Sequence, residues 1–194
     1  MRFIYAALAA AAAHTAASSA VPAVLKTRVT PNQGSCIGYG KDIGVYDGTG
    51  IGSQYSAACA NVTLACLKLN GTSIWSHAEC VAAATCQGTR GVVINSQCNN
   101  HNVAHIASIP NLSGAVYATI VGSAAAAANA PITQQNYIDF VFGQMSAASV
   151  TQWPTADYVV SNWWTPITTW AATGNSVPYS NFNDWLHYSE TDTK

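Results

Sequence analysis

Charge is scarce in this chain: Lys, Arg, Asp and Glu together make up 8% of the 194 residues, and the formal net charge is −1. Cations are scarcer still. No Lys or Arg occurs between Gly91 and Thr193, whereas Asp139, Asp157, Asp184, Glu190 and Asp192 all fall in that interval. Such a surface cannot neutralise a phosphate backbone, so nucleic acid is excluded as a partner. Beyond the first twenty residues no apolar run approaches the roughly 20 residues of a membrane span, so no membrane insertion is expected. Also missing are C-x-x-C spacing, which argues against zinc held by thiolates, a G-x-S-x-G nucleophile turn, and the lysine of a phosphate-binding loop. No cofactor and no metal are expected.

What is present begins with "MRFIYAALAAAAAHTAASSA", an early Arg2, an apolar run and a small-residue cleavage pattern at Ser18 to Ala20. That is the pattern of a secretory signal peptide. Residues 1–20 are therefore assigned as signal peptide, 21–30 as a short linker or pro-segment, 31–190 as a single globular domain, and 191–194 as a tail. A secreted, extracellular product is expected. All six cysteines, Cys36, Cys59, Cys66, Cys80, Cys86 and Cys98, lie in the first half of that domain. An even count in an exported chain reads as a disulfide framework, although six cysteines allow 15 pairings and the sequence does not choose among them. Cys59 and Cys66, seven apart on one helical face, are expected to staple their helix to two different neighbours. Sequons at Asn61, Asn70 and Asn111 can accept N-linked glycans in a eukaryotic secretory pathway and would then mark solvated surface.

"CIGYG", "IGVYDG" and "GVVIN" (residues 91–95) are β-favouring and bounded by glycine, which makes them the sheet candidates. Helical spacing runs from Ser53 to about Leu69, and Ser76-His77-Ala78-Glu79 has the form of a capping box opening "HAECVAAATC". The second half reads as helical: about Leu112 to Asn129, then "PITQQNYIDFVFGQM" with Tyr137, Ile138, Val141, Phe142 and Met145 on one stripe. Next come "ADYVVSNWW" capped by Thr155, "PITTWAAT" started by Thr165 and Pro166, and a last helix after Ser180. The fold class expected is α/β or α+β, a small sheet packed with helices in a disulfide-stabilised α-β-α sandwich-like domain with a helical C-terminal half.

Five of the six tryptophans, Trp153, Trp163, Trp164, Trp170 and Trp185, fall between residues 153 and 185 among tyrosines, asparagines and aspartates. An aromatic ring against the apolar face of a sugar, with Asn and Asp bonding its hydroxyls, needs this mixture of residues. Core packing needs the aromatics too. Trp163 shares a helical face with Val159 and is expected in the core with Trp170, whereas Trp164, displaced by about 100°, is expected to be exposed. The candidate glycan-binding residues are Trp164, Trp185, Asp184, Asn183 and Tyr179. Weaker signals are "HNVAH", whose His101 and His105 form an i, i+4 pair if helical, with His77 or His187 as third ligands, and the glycine loop Gly48, Gly50 and Gly52 with Asp47. Glycosidase chemistry would need two convergent carboxyls from Asp42, Asp47, Glu79, Asp139, Asp157 and Asp184. No catalytic residue is assigned.

The stretches "AECVAAATCQG", "PITQQNYIDFVFGQM" and "WAATGNSVPYSNFNDWLHYS", following an early glycine-tyrosine segment, resemble small secreted proteins of mushroom-forming fungi, the Y-three-type glycan-binding proteins. The resemblance implies a compact α-β-α sandwich without cofactor, and lectin activity toward glycans bearing N-acetylhexosamine and fucose. No ligand-contacting residue is carried over from it. The function expected is a secreted non-catalytic lectin binding glycans or glycoproteins. The alternatives are a secreted polysaccharide hydrolase and a small effector acting through protein contacts.

Overall fold

The computed structural model describes residues 31–44 and 56–191. The signal-peptide and linker assignments, the 192–194 end of the tail, most of "IGVYDG", the Gly48–Gly52 loop with Asp47, and the first residues of the Ser53 helix lie outside that range. The described chain is helix-dominated. Its elements are α1 (Gln33–Lys41), α2 (Ser56–Lys68), α3 (Ala78–Gln87), α4 (Thr89–Asn99), α5 (Gly114–Val121), α6 (Ser123–Ala127), α7 (Gln134–Ala147), α8 (Ala156–Val159), α9 (Thr165–Ala171) and α10 (Tyr179–Tyr188). Single 3₁₀ turns at Ile74–Ser76 and Ile106–Ser108 join them, and five residues of π-helix, Val160–Trp164, lie between α8 and α9.

Two sheet candidates become helices. "CIGYG" belongs to α1, because Asn32 caps it: the Asn32 side chain accepts the Ser35 N–H at 2.8 Å. "GVVIN" belongs to α4, which Gly88 (φ +88°) turns sharply away from α3. Local β propensity yields here to tertiary packing. The only sheet among the described residues is a two-residue antiparallel ladder between β1 (Ile132–Thr133) and β2 (Ser176–Val177), pairing Ile132 with Val177. Both residues are fully buried, so the ladder fixes the points from which α7 and α10 depart. A sheet sandwiched between helices is replaced by helices packed on a helix.

That helix is α3. Every residue from Cys80 to Gln87 is buried, and Ala82, Ala83 and Ala84 are small enough for α2, α4, α7 and the π segment to approach it from several sides. A helix apolar on all faces is a core helix. Two disulfides lock α2 along it, Cys59–Cys86 and Cys66–Cys80, with Cα atoms 5.8 and 4.6 Å apart. Cys59 and Cys66 thus staple their helix to one neighbour, not two, since an antiparallel partner presents Cys86 and Cys80 at nearly matching separation. α1 buries no residue of its own. It is held by Cys36–Cys98, by Asn95 bonding the Tyr39 carbonyl at 3.3 Å, and by the buried Gln87, which bonds Asp42 and Gly44 backbone at 3.2 and 3.1 Å.

Start signals further along are met where a side chain can reach an unpaired N–H. Thr133 and Asn136 form a reciprocal capping box on α7, Thr155 accepts the Tyr158 N–H, and Ser113 caps α5. The expected box at Ser76 does not form: α3 begins one residue later, with His77 in the cap position and no side-chain bond there, because Ser76 closes the preceding 3₁₀ turn. The long alanine helix is broken at Gly122 (φ +87°) into α5 and α6. On α7 the expected stripe is buried, Phe140 joins it and Phe142 is half-buried. Among the described residues no helix is long and apolar enough to cross a membrane.

The Cys66–Cys80 bridge closes a loop with a sequence separation of 14, for which loop-closure entropy gives about 3 kcal/mol. A Cys66→Ala/Cys80→Ala double variant is expected to lose about that much in guanidinium denaturation. A loss under about 1 kcal/mol would show that α2 and α3 hold together without the bridge.

Candidate functional site

The two helices expected on either side of Thr165 are not separated by a break. Thr165, expected to cap a new helix, has helical dihedrals (φ −57°, ψ −42°), and the chain runs on from α8 through the π segment into α9. Pro166 is the cause. Proline brings no N–H and its ring presses on the carbonyl four residues back, so a regular α-helix cannot continue through it. The wider turn relieves this. The Thr165 N–H and its hydroxyl (2.9 Å) both bond the Val160 carbonyl, and Asn162 bonds the Tyr158 carbonyl at 2.9 Å.

Because this segment lies against both α3 and α7, it buries residues on two sides. Trp163 (1% exposed) packs edge-on to Tyr158, and Trp164 (3%) stacks on Tyr137 with centroids 4.9 Å apart. Trp164 is therefore a core residue, contrary to its expected exposure. Trp170 is exposed at 41%, because α9 buries only Ile167, and Trp153 is exposed at 43%, edge-on to Phe142. Trp170, expected in the core, is thus exposed, and Trp153, which precedes the Thr155 cap, had no helical periodicity to place it.

On α10 the expected site divides in the same way. Trp185 (2% exposed) stacks on Phe182, 5.7 Å away, and is core. Asn183 turns inward, its Oδ1 accepting the Leu112 N–H at 2.9 Å while its amide reaches Asn111 at 3.5 Å. Its amide oxygen is spent on the backbone and its amide nitrogen on the Asn111 side chain, not offered to a ligand. His187, also buried, has Nε2 2.9 Å from the Ile109 carbonyl and Nδ1 2.6 Å from that of Asn183. These side chains latch residues 109–112 onto α10. Asp184 is exposed, and Tyr179 lines a hollow.

That hollow, about 390 Å³, is bounded by Gly114, Tyr117, Ala126, Ala127, Asn129 and Tyr179. The sequence builds it in three steps. Ser113 starts α5, so that Gly114 is its first residue; Gly122 folds α6 back; and Asn129, in the left-handed region at φ +53°, ends the turn. Small residues then leave room beside two rings packed edge-to-face with centroids 5.0 Å apart. Both rings are fixed, since Tyr117 donates its hydroxyl to the Ala130 carbonyl and Tyr179 to that of Leu112. Burial pushes the Tyr117 phenol above its ordinary range, and Tyr179 adds to the shift. No charged side chain lines this hollow. A half-buried aromatic ring, an exposed amide and a floor of glycine and alanine suit a neutral ligand with an apolar face and hydroxyl groups.

The other candidates disperse. "HNVAH" follows the end of α4 as turns and irregular chain, so His101 and His105 do not share a helical face, and among the described residues no three His, Cys, Asp or Glu are grouped to hold a metal. Asp139 accepts from Gln135 at 2.8 Å, and no carboxylate enters the tyrosine hollow. Of the sequons, Asn70 and Asn111 are exposed, whereas Asn61 is half-buried within α2 and its Thr63 is fully buried. No protein-family model, curated protein or solved structure matches the chain.

Replacing Trp164 with alanine is expected to cost about 3–5 kcal/mol, as for other buried tryptophans, and Trp170→Ala to stay within about 0.5 kcal/mol. Urea denaturation of the two variants checks the assignment, and equal losses would overturn it.

Tyr137, the ring under Trp164, gives a second expectation. Its hydroxyl is buried without a hydrogen-bond partner, Thr85 spending its own on the Ala82 carbonyl at 2.7 Å. Burial pushes this phenol well above its ordinary range, and the proximity of Thr85 opposes the shift less strongly. In the unfolded chain the group ionises near pH 10, while the folded chain keeps the proton, so stability present below about pH 10 falls as pH rises beyond it. Tyr137→Phe is expected to remove this part of the alkaline fall and to be neutral or stabilising by about 1 kcal/mol near neutral pH. Urea melts at about pH 8 and about pH 11 would show it, and an unchanged alkaline slope would refute it.

Proposed function

We propose that the protein is a secreted, non-catalytic glycan-binding protein and that its sugar seat is the hollow beside Tyr179. The observation that carries this reading is a tyrosine ring held in place by the Leu112 carbonyl, next to the Asn129 amide, in a hollow with no charged side chain. A sugar ring placed there covers the aromatic face, and its hydroxyls reach the amide and water. Three disulfides suit an oxidising compartment, as does the signal-peptide pattern. Exposed Asn70 and Asn111 are the sequons suited to carry glycans of their own. Resemblance to the Y-three-type proteins points to N-acetylhexosamine and fucose as the sugars.

One observation favours a second reading, action through protein contacts. Between α1 and α2 lies an apolar groove that includes Ile37, Ile43, Leu64 and Leu67, with Ile37 51% and Leu64 46% exposed.

Gly114 gives a clean test of the first reading. A Cβ at this position meets nothing within 4 Å, so a bulky side chain can fill the hollow without displacing the fold. On a glycan array the wild-type chain is expected to bind glycans with N-acetylhexosamine or fucose. Gly114→Phe is expected to lose about tenfold or more in affinity while keeping its melting temperature within about 3 °C. Binding that survives the substitution would move the site elsewhere, and no binding to any glycan would remove the lectin reading.

A further inference from the structure

The groove between α1 and α2 is floored by α4 and differs in chemistry from one end to the other. Two contacts set the direction in which α1 crosses the floor: the Cys36–Cys98 bridge, and Asn95 bonding the Tyr39 carbonyl at 3.3 Å. Residue numbers rise along α1 as they fall along α4, so these helices are antiparallel. On the opposite wall, Leu67 shares a second, small hollow with Ser96 and Asn99, which puts the end of α2 beside the end of α4. Gln33, Lys68 and Asn99 therefore gather at one end of the groove, whereas Ile37, Ile43 and Leu64 line the stretch leading away from it.

The two parts differ in what they can meet. Lys68, exposed in the last turn of α2, has no hydrogen-bond or ion-pair partner among the described residues, and no described Asp or Glu lines the groove. A carboxylate at this end meets a cation and no competing anion. The apolar stretch stands open: Ile37 and Leu64 are exposed, and a Cβ built on Gly40 in the same wall meets nothing within 4 Å. Beneath it, the Asn95 amide nitrogen is already engaged by the Tyr39 and Gly91 carbonyls. From Gln33 to Ile43 the α1 wall runs about 15 Å by helical rise. The groove encloses about 620 Å³, within the range of ordinary ligand pockets, about 300–1,000 Å³. A stable protein contact covers about 800 Å² on each partner, more than these few side chains present.

We infer that the groove binds an unbranched fatty acid of medium chain length. Its carboxylate meets the Lys68 ammonium, and its alkyl chain lies over Gly40 along Ile37, Ile43 and Leu64. The chain supplies most of the affinity, since a fully covered methylene is worth about fourfold and an exposed ion pair about fivefold at most. The inference does not rest on the sugar seat, which is built from other helices and holds no charged side chain.

Calorimetric titration of the full chain tests it with three probes below their micelle-forming concentrations: dodecanoate, octanoate, and dodecyltrimethylammonium, which reverses the charge. Dodecanoate is expected to bind about tenfold or more tighter than octanoate, at about twofold or more per methylene in a groove open on one side. At low ionic strength it is expected to bind about fivefold tighter than the cationic amphiphile. Lys68→Gln should remove the charge preference and leave the chain-length dependence. Gly40→Phe, which fills the groove at an open helical position, should weaken dodecanoate about tenfold or more. Gly38→Phe, on the same helix with surroundings as open but outside the groove lining, should leave it unchanged, as should Gly114→Phe in the sugar seat. Circular dichroism should show intact folds for all four variants. Equal binding of dodecanoate and octanoate, or dodecanoate binding that survives Gly40→Phe, would overturn the inference. Absence of dodecanoate binding at about 1 mM would overturn it as well and return the groove to protein contacts.

Discussion

The structure depends on one helix with no solvent face. α3 is buried along nearly its whole length, so its neighbours are positioned by contact with it, and the choice of alanine at three successive positions sets how near they come. A buried helix gains nothing from amphipathic pattern and must be held from several sides. Two disulfides hold α2, a glycine hinge brings α4 directly alongside, and the second half supplies α7 and the π segment. The polar residues that are buried with it serve its termini: Gln87 bonds the α1 loop, and Thr85 returns its hydroxyl to the helix backbone.

How much of this was legible depended on whether the controlling interaction was local. Thr155 caps α8, and the Tyr137 to Met145 stripe is buried, because a cap and a helical face are decided within one or two turns. The cysteines announced a disulfide framework but not its pairing, which is set by the antiparallel course of α2 and α3. "GVVIN" misled because its β-branched residues were read in isolation, whereas Gly88 and the buried face of α4 decide its state. Asn32 was a readable cap that the pull of Ile37 and Tyr39 toward a strand obscured.

The candidate site was less legible than the fold. Counting tryptophans located an aromatic region but could not separate rings that fill space from rings that meet solvent. Pro166 was correctly read as incompatible with a regular helix, yet a chain has two responses to that conflict, to end the helix or to widen it. Here the Val160 carbonyl can be satisfied by Thr165, so the wider turn holds and both Trp163 and Trp164 turn inward. Asn183 illustrates the companion error: an amide that looks suited to a sugar is consumed by the Leu112 N–H. Tyr179 keeps its ring half-exposed, although its hydroxyl bonds the Leu112 carbonyl and the ring packs edge-to-face with Tyr117.

The three disulfides are nested, 66–80 within 59–86 within 36–98, and none reaches past residue 98. The consequence is a molecule of two unequal kinds of integrity. A single proteolytic nick between α2 and α3 leaves one cross-linked piece. A nick near the exposed His101 and Asn102 yields two fragments with no disulfide between them, and the second half then stays docked through noncovalent contacts, among them those of α7 with α2 and α3, of the π segment with α3, and of Thr191 with the start of α4.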